Sequence, residues 1–304
     1  MNTYLVPPGL DEARVDAAVA KITGISRSKA AELIEAGKVW HNGETTLKAS
    51  RVANGDVLEV ELPPPPLEPQ PTPAALDIIY EDADIVVVDK PAGMAAHASL
   101  NFEGPNVLGA LLAQGVKLTT SGPPERKGIV HRLDVGTTGC MVVAKSEVAY
   151  TVLKRAFKER TVTKIYHALV HGHPDPSTGT IDAPIGRDMR YQWKMGVRQD
   201  GKPAITHYDT VEAMAGASLI RVELETGRTH QIRVHMAATR HPCIGDEMYG
   251  ADPVLAEKLA LDRQWLHAVE LSFVHPRSGE IVEFRSDYPP QLQTALELMR
   301  AGML

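Results

Sequence analysis

Apolar positions recur at helical spacing near the start of the chain. Val15, Val19 and Ile22 lie three to four residues apart, which predicts an amphipathic helix. Ser26 can cap a second helix over residues 27–36, because a serine hydroxyl at this position accepts a hydrogen bond from a free backbone N–H. The segment therefore begins as a helix pair.

The dipeptide Asn42-Gly43 follows this pair and predicts a tight β-hairpin. Seven of the eleven residues over 63–73 are proline, and proline neither pairs inside a sheet nor continues a helix. We therefore predict a linker over 63–74 between a small domain, 1–62, and a large domain, 75–304.

In the large domain, the apolar pattern alternates between the periods of strands and helices. Residues 85–88 form a short apolar run, and residues 163–170 and 218–225 alternate between two faces as strands do. Residues 147–160 have a single apolar face and predict a helix, and Thr229 can cap another that runs through residue 235. Long strands with few helices predict an α+β fold with a mixed, mostly antiparallel central sheet and flanking helices.

Composition narrows the class of protein. The chain has 304 residues and only two cysteines, Cys140 and Cys243. We therefore expect a cytoplasmic location and no disulfide framework. The N-terminus lacks the pattern of a signal peptide, and no apolar run is long enough to span a membrane, so we expect no membrane partner. No glycine-rich nucleotide-binding motif is present, so we expect no nucleotide cofactor. We also expect no other cofactor, and a monomer.

The charges are segregated along the chain, although the net charge is −6. Residues 117–164 contain ten bases and four acids, and residues 187–202 contain five bases and two acids. Residues 59–89 contain eight acids and no base. A basic region inside an acidic protein favours a polyanionic partner there, although a solvated helix face explains part of the charge of residues 154–160.

Candidate chemistry lies in the most basic region. Asp134 follows His131 and Arg132 in a loop rich in threonine and glycine, between the apolar runs 129–130 and 140–144. We expect these runs to be buried strands that present the loop rigidly. A carboxylate beside a cation can remain ionised when partly desolvated, as a nucleophile must, although a lone loop aspartate can also serve only to make a turn.

The sequence around Asp134 resembles the signature of the RluA family of pseudouridine synthases. The run His-Arg-Leu-Asp, two further residues, then Thr-Thr-Gly matches it except that Thr138 stands where serine is commoner, and the segment 94–98 also varies from the family pattern. Four further motifs follow the family's order and extend the resemblance over most of the chain: Asp89-Lys90-Pro91-Ala92-Gly93, Lys164 to Gly172, Thr226 to His235, and Gly245 to Gly250 followed by Leu266-His267-Ala268.

The resemblance implies roles for individual residues. Asp134 would be the catalytic carboxylate, Arg233 would pair with it, and the ring of Tyr166 would pack on the flipped uracil with its hydroxyl near the proton-transfer site. From the residues alone, the favoured interpretation of Tyr166 is a core tyrosine on an apolar strand face, and only the resemblance reverses it. Four further residues are implied to bind the substrate: Arg132, which would fill the gap left by the flipped nucleotide, Arg228, Ile232 and Leu266.

The N-terminal segment resembles an RNA-binding module of the type named after ribosomal protein S four. Arg27, Lys29 and Lys38 would then contact phosphates, which supply affinity without sequence information. The other interpretation is a small structural appendage with basic helix ends.

The resemblance thus implies an RNA pseudouridine synthase, an isomerase, acting on large-subunit ribosomal RNA. The alternatives are a transfer-RNA synthase and a non-catalytic RNA-binding assembly factor. A glycoside hydrolase would need a second carboxylate, for which the nearest candidates are Glu125 and Glu147. A metal site is not expected, because the spacings of His131, His230, His235 and His241 match no common zinc pattern.

Overall fold

The computed structural model describes residues 1–63, 69–98, 102–191 and 193–302. The chain divides into two compact units, 1–66 and 67–304. In the described part, no helix combines the length and the apolar composition needed to cross a membrane.

The first unit packs two helices on a small antiparallel sheet. Ser26 accepts a hydrogen bond from the Lys29 N–H and begins the second helix, as predicted. The Asn42-Gly43 turn is confirmed as well, because both residues have positive φ, at 52° and 83°. The elements are β1 (Asn2–Leu5), α1 (Val15–Thr23), α2 (Arg27–Glu35), β2 (Val39–His41), β3 (Glu44–Thr45) and β4 (Val57–Val60). The sheet has the order β1-β4-β2-β3.

The second unit is built on a nine-stranded sheet. Its strands are β5 (Asp77–Glu81), β6 (Ile85–Lys90), β7 (Thr138–Ala144), β8 (Thr163–His171), β9 (Thr178–Asp182), β12 (Ile205–Met214), β13 (Ala217–Leu224), β14 (Leu266–Val274) and β15 (Ile281–Arg285), with a separate hairpin of β10 (Ile185–Arg187) and β11 (Met195–Val197). The order in the sheet is β5-β6-β7-β14-β8-β13-β12-β9, with β15 beside β14. All described pairs are antiparallel except β7 with β14, so the predicted mixed, mostly antiparallel α+β class is confirmed.

Helices cover both faces of this sheet. The apolar face of α4, which includes the fully buried Leu153, packs on one face, and residues of α3 and α5 pack on the opposite face with Tyr166. The helices are α3 (Val107–Ala113), α4 (Glu147–Glu159), α5 (Gln231–Ala238), α6 (Pro253–Lys258) and α7 (Pro290–Ala301). The alternation along β8 is confirmed, because Tyr166, Ala168 and Val170 belong to one cluster while Leu169 belongs to another.

Two local predictions were wrong. Residues 129–130 are no strand, and Ile129 makes only an isolated bridge to Val143. Thr229 does not cap α5, which begins at Gln231 after His230 in a left-handed conformation. The predicted linker, 63–74, includes residues 64–68, which lie outside the described residues. The end of this linker packs on the second unit, because the Thr72 N–H donates to the Gly109 carbonyl.

Candidate active site

The loop that carries Asp134 is anchored to β14 and the residues before it. Arg263 donates to the Gly136 carbonyl at 2.9 Å, and the Gln264 amide donates to the Thr137 hydroxyl at 3.1 Å. Gly139 has a φ of +111°, and a Cβ there would lie 2.2 Å from the Ala268 carbonyl oxygen. Only glycine permits this approach, which explains the glycine that closes the signature.

Lys90 anchors the other side of the loop. Its ammonium is fully buried and donates to the carbonyls of Pro91, Met94 and Val135 at 2.9, 2.8 and 3.3 Å. Burial lowers the pKa of Lys90 to about 7, and the charge of nearby Asp134 opposes that shift. Because Val135 is the neighbour of Asp134, Lys90 fixes the backbone from which the carboxylate projects.

The Asp134 carboxylate faces two basic side chains. Its Oδ2 lies 3.7 Å from Nη1 of Arg233, and its Oδ1 lies 4.0 Å from Nε2 of His230. The side chain is 16% exposed, so a substrate can reach it. Burial lowers the pKa of His230, against the charge of Asp134, and the Tyr249 hydroxyl lies 2.8 Å from its Nδ1.

Arg233 has a second and closer partner that the sequence analysis missed. Its Nε and Nη2 donate to the two oxygens of Asp246 at 2.6 and 2.8 Å, and both side chains are buried. The guanidinium also lies over the Tyr249 ring, 4.9 Å from the centroid. Burial alone would lower the pKa of Arg233, but Asp246 and then Asp134 raise it. The guanidinium therefore remains charged while its Nη1 faces Asp134.

Tyr166 lies across the same cavity, on β8. Its side chain is buried, and its hydroxyl makes no hydrogen bond to any described residue. Burial, and secondly the charge of Asp134, raise the pKa of Tyr166 above its ordinary value. The hydroxyl is therefore protonated at neutral pH, and acts as a donor rather than as a phenolate.

These side chains enclose a cavity of about 80 Å³. That volume holds several water molecules, so a small group can enter beside these side chains. Its apolar wall is formed by Leu133, Leu224, Ile232 and Leu266. Its polar side is formed by Asp134, Tyr166 and Arg233, together with Arg132 and Arg228. All seven residues predicted for catalysis and substrate binding in the large domain thus meet at one cavity.

The remaining candidates lie elsewhere. Arg27, Lys29 and Lys38 are exposed in the first unit, where they pair with Asp16, Glu32 and Glu61 at 3.2, 2.9 and 2.7 Å. Glu147 does not approach Asp134, because it accepts hydrogen bonds from Thr119 and Thr120 at the start of α4, and Glu125 pairs with Arg126. The second carboxylate that a glycoside hydrolase requires is therefore not supplied by either candidate.

The histidines considered for a metal site are dispersed. The Val142 N–H donates to His131, Thr206 and the Ala183 carbonyl lie beside His235, and the His171 carbonyl lies beside His241. Within the described ranges, no three His, Cys, Asp or Glu side chains are grouped so that they could hold a metal ion.

Comparison with known proteins agrees with this geometry. The family model described as RNA pseudouridylate synthase matches residues 84–238. An uncharacterized RNA pseudouridine synthase of Mycobacterium bovis is 59% identical over 298 residues, which cover 97% of each chain. This chain belongs to the RluA family of RNA pseudouridine synthases. As a member of that family it is an isomerase, and the family's substrates are RNAs.

Two further relatives of this pseudouridine synthase bear on its structure and substrate. Ribosomal large subunit pseudouridine synthase D of Neisseria meningitidis is 41% identical over 307 residues, covering 97% of this chain and 81% of that protein. The solved structure of human RNA pseudouridylate synthase domain containing 1 has a TM-score of 0.59 and 30% identity, covering 74% of this chain and 90% of that one.

Proposed function

We propose that this pseudouridine synthase modifies specific uridines of large-subunit ribosomal RNA, with Asp134 as its catalytic carboxylate. The observation that carries the proposal is the meeting of Asp134, Arg233 and Tyr166 at one cavity, which Arg132, Arg228, Ile232 and Leu266 also line. The ribosomal substrate is supported by the names of relatives from three organisms, each called ribosomal large subunit pseudouridine synthase D.

The reaction breaks the bond between ribose and uracil nitrogen, turns the base, and rejoins it through carbon. Asp134 is the group in reach of the ribose and the base. Arg233 supplies an opposite charge beside it, which is worth most where water is excluded. Leu266 and Ile232 hold the base by apolar contact, while Arg132 and Arg228 contact the RNA strand that continues from the flipped nucleotide.

The substrate is tested by offering transcripts of the large-subunit ribosomal RNA and a set of transfer RNAs to the purified chain. Tritium release from uridine labelled at carbon five reports turnover, and chemical mapping locates the pseudouridine. We expect turnover on the ribosomal transcript alone. Turnover confined to transfer RNA would show that the substrate is a transfer RNA and not ribosomal RNA. Binding to both kinds of RNA without turnover would favour an assembly factor.

We propose that Tyr166 stacks on the base through its ring and serves the final proton removal through its hydroxyl. Because the hydroxyl is protonated, its oxygen would accept the proton from carbon as its own proton passes to the Asp134 carboxylate, which lines the same cavity. Tyr166→Phe should keep RNA affinity and lower tritium release about 10²-fold or more. Tyr166→Ala should weaken binding as well, and lower the free energy of unfolding by about 3–5 kcal/mol. Equal tritium release by Phe and Tyr would show that another group takes the proton.

We propose that the first unit is an RNA-binding module of the S-four type, in which Arg27, Lys29 and Lys38 contact phosphates. Lys29 and Lys38 would exchange their exposed acidic partners for the RNA, since exposed ion pairs are worth about 1 kcal/mol or less. Arg27 would keep its two hydrogen bonds to the buried Asp16 and contact a phosphate through its remaining Nη1. Removing residues 1–66 should leave a folded enzyme with weaker RNA binding. The slope of log affinity against log salt should become shallower by about 2 to 3, as three phosphate contacts are lost.

The matched control is the full chain with these three bases changed to glutamine, which should show most of the same decrease in slope. A shortened chain that binds RNA as the full chain does would leave the first unit as a structural appendage.

A further inference from the structure

A second and larger cavity adjoins the one that holds Asp134. It measures about 460 Å³ and shares Arg132, Tyr166, Leu224, Gly227 and Arg228 with the smaller cavity. Of the described residues that line it, none is acidic. Six are basic: Arg126, Arg132, Lys154, Lys158, Lys164 and Arg228. This cavity therefore concentrates positive charge beside the base site.

Lys164 is the most buried of these bases, with 7% of its surface exposed. It precedes Tyr166 by two residues on β8, so the two side chains share one face of the sheet about 7 Å apart. Within the described part of the chain it has no hydrogen bond or ion pair. The nearest acids are already paired, Glu223 with Arg221 at 3.3 Å and Glu225 with Arg160 at 3.2 Å.

A buried ammonium without a partner is unfavourable in the free protein. Burial, and secondly the charge of Arg160, lower the pKa of Lys164 to about 8, against the charges of Glu223 and Glu225, so the side chain is still mostly charged at neutral pH. An anion that enters the cavity would supply the missing partner.

His131 adds a neutral donor to the same cavity. Its Nε2 accepts the Val142 N–H at 3.0 Å, and its ring is stacked on Phe157 with centroids 4.6 Å apart. Burial, and secondly the charge of Lys164, lower the pKa of His131 to about 3, so the ring is uncharged. The one ring proton therefore lies on Nδ1.

We propose that this cavity binds the phosphodiester group one nucleotide from the target uridine, with Lys164 as its counter-charge and His131 as a neutral donor. The site rests on the proposed function, because it needs an RNA strand that leaves the base cavity along β8. A lysine suits a phosphate as a compact point charge, and the cavity's other bases face the strand that continues from it.

The test compares Lys164→Met with Lys258→Met, which removes an exposed lysine of α6 that has no partner among the described residues. RNA affinity is measured with the ribosomal transcript at several salt concentrations, together with the single-turnover rate at saturating RNA. For Lys164→Met we expect about tenfold weaker binding, a salt slope shallower by about 0.7, and an unchanged rate. Its melting temperature should equal or exceed that of the native chain, because an unpaired buried charge is removed. Lys258→Met should change none of these.

Ethylation of individual RNA phosphates locates the contact. With the native chain, ethylation next to the target uridine should interfere with binding, and with Lys164→Met that interference should disappear. If Lys164→Met binds RNA with the native affinity and salt slope, the proposed phosphate site is wrong. The proposed enzyme function is unaffected by that result, because neither measurement depends on turnover. If inorganic phosphate stabilises the native chain but RNA affinity does not depend on Lys164, the cavity takes a free anion, and the RNA assignment is wrong.

Discussion

Asp134→Asn should release no measurable tritium from labelled ribosomal RNA, a loss of at least about 10⁴-fold. The asparagine keeps the shape of the side chain but can neither attack carbon nor take a proton from the sugar. The loop should be unaltered, because the Thr137 N–H donates to the backbone carbonyl of residue 134 and not to its side chain. Arg233 would keep its closer partner Asp246, so the folded state should not be left with an unpaired buried charge.

RNA binding separates a chemical role of Asp134 from a structural one. Affinity should remain within about threefold of the native value, because phosphate contacts supply most of it. The matched control is Asp77→Asn, which removes an exposed carboxylate at the start of β5 and should leave both affinity and tritium release unchanged. Tritium release by Asp134→Asn within tenfold of the native rate would remove Asp134 from the mechanism.

Local chemistry in the sequence predicted most of the elements that form the site. The period of two along β8 placed Tyr166 on the correct face, because a strand repeats its side-chain direction every second residue whatever it packs against. The cap at Ser26 and the Asn42-Gly43 turn were predictable for the same reason, since each depends on neighbouring backbone alone.

Contacts between distant segments could not be predicted in this way. Asp246 is thirteen residues from Arg233 and belongs to a loop after α5, so no helical or strand spacing relates the two. The signal was the Gly245-Asp246 motif, noted as part of the resemblance but without a role. That Lys164 is buried without an ion pair could not be predicted either, because the burial of its side chain depends on the whole sheet and on the cavity beside it.

The resemblance also assigned Arg233 to Asp134 alone, whereas the structure divides the guanidinium between two carboxylates. Two of its nitrogens are occupied by Asp246, at 2.6 and 2.8 Å, and the third lies 3.7 Å from Asp134. This division gives Arg233 a structural partner and a catalytic neighbour, whose effects can be measured separately.

Arg233→Met should lower the free energy of unfolding by about 3–5 kcal/mol and abolish turnover. The loss of stability arises because Asp246, only 2% exposed, would be left as a buried charge without its partner. The loss of turnover arises because Asp134 would face no guanidinium. Urea unfolding measures the first effect and tritium release the second.

The double variant Arg233→Met with Asp246→Leu distinguishes the two effects. Replacing both members of a buried ion pair by apolar side chains is often neutral or stabilising, so most of the lost stability should return. Turnover should not return, because the positive charge beside Asp134 is still missing. If the double variant recovers both, Arg233 serves only to neutralise Asp246. If Arg233→Met is as stable as the native chain, the pair with Asp246 contributes nothing to the fold, and its place beside Asp134 is the whole of its role.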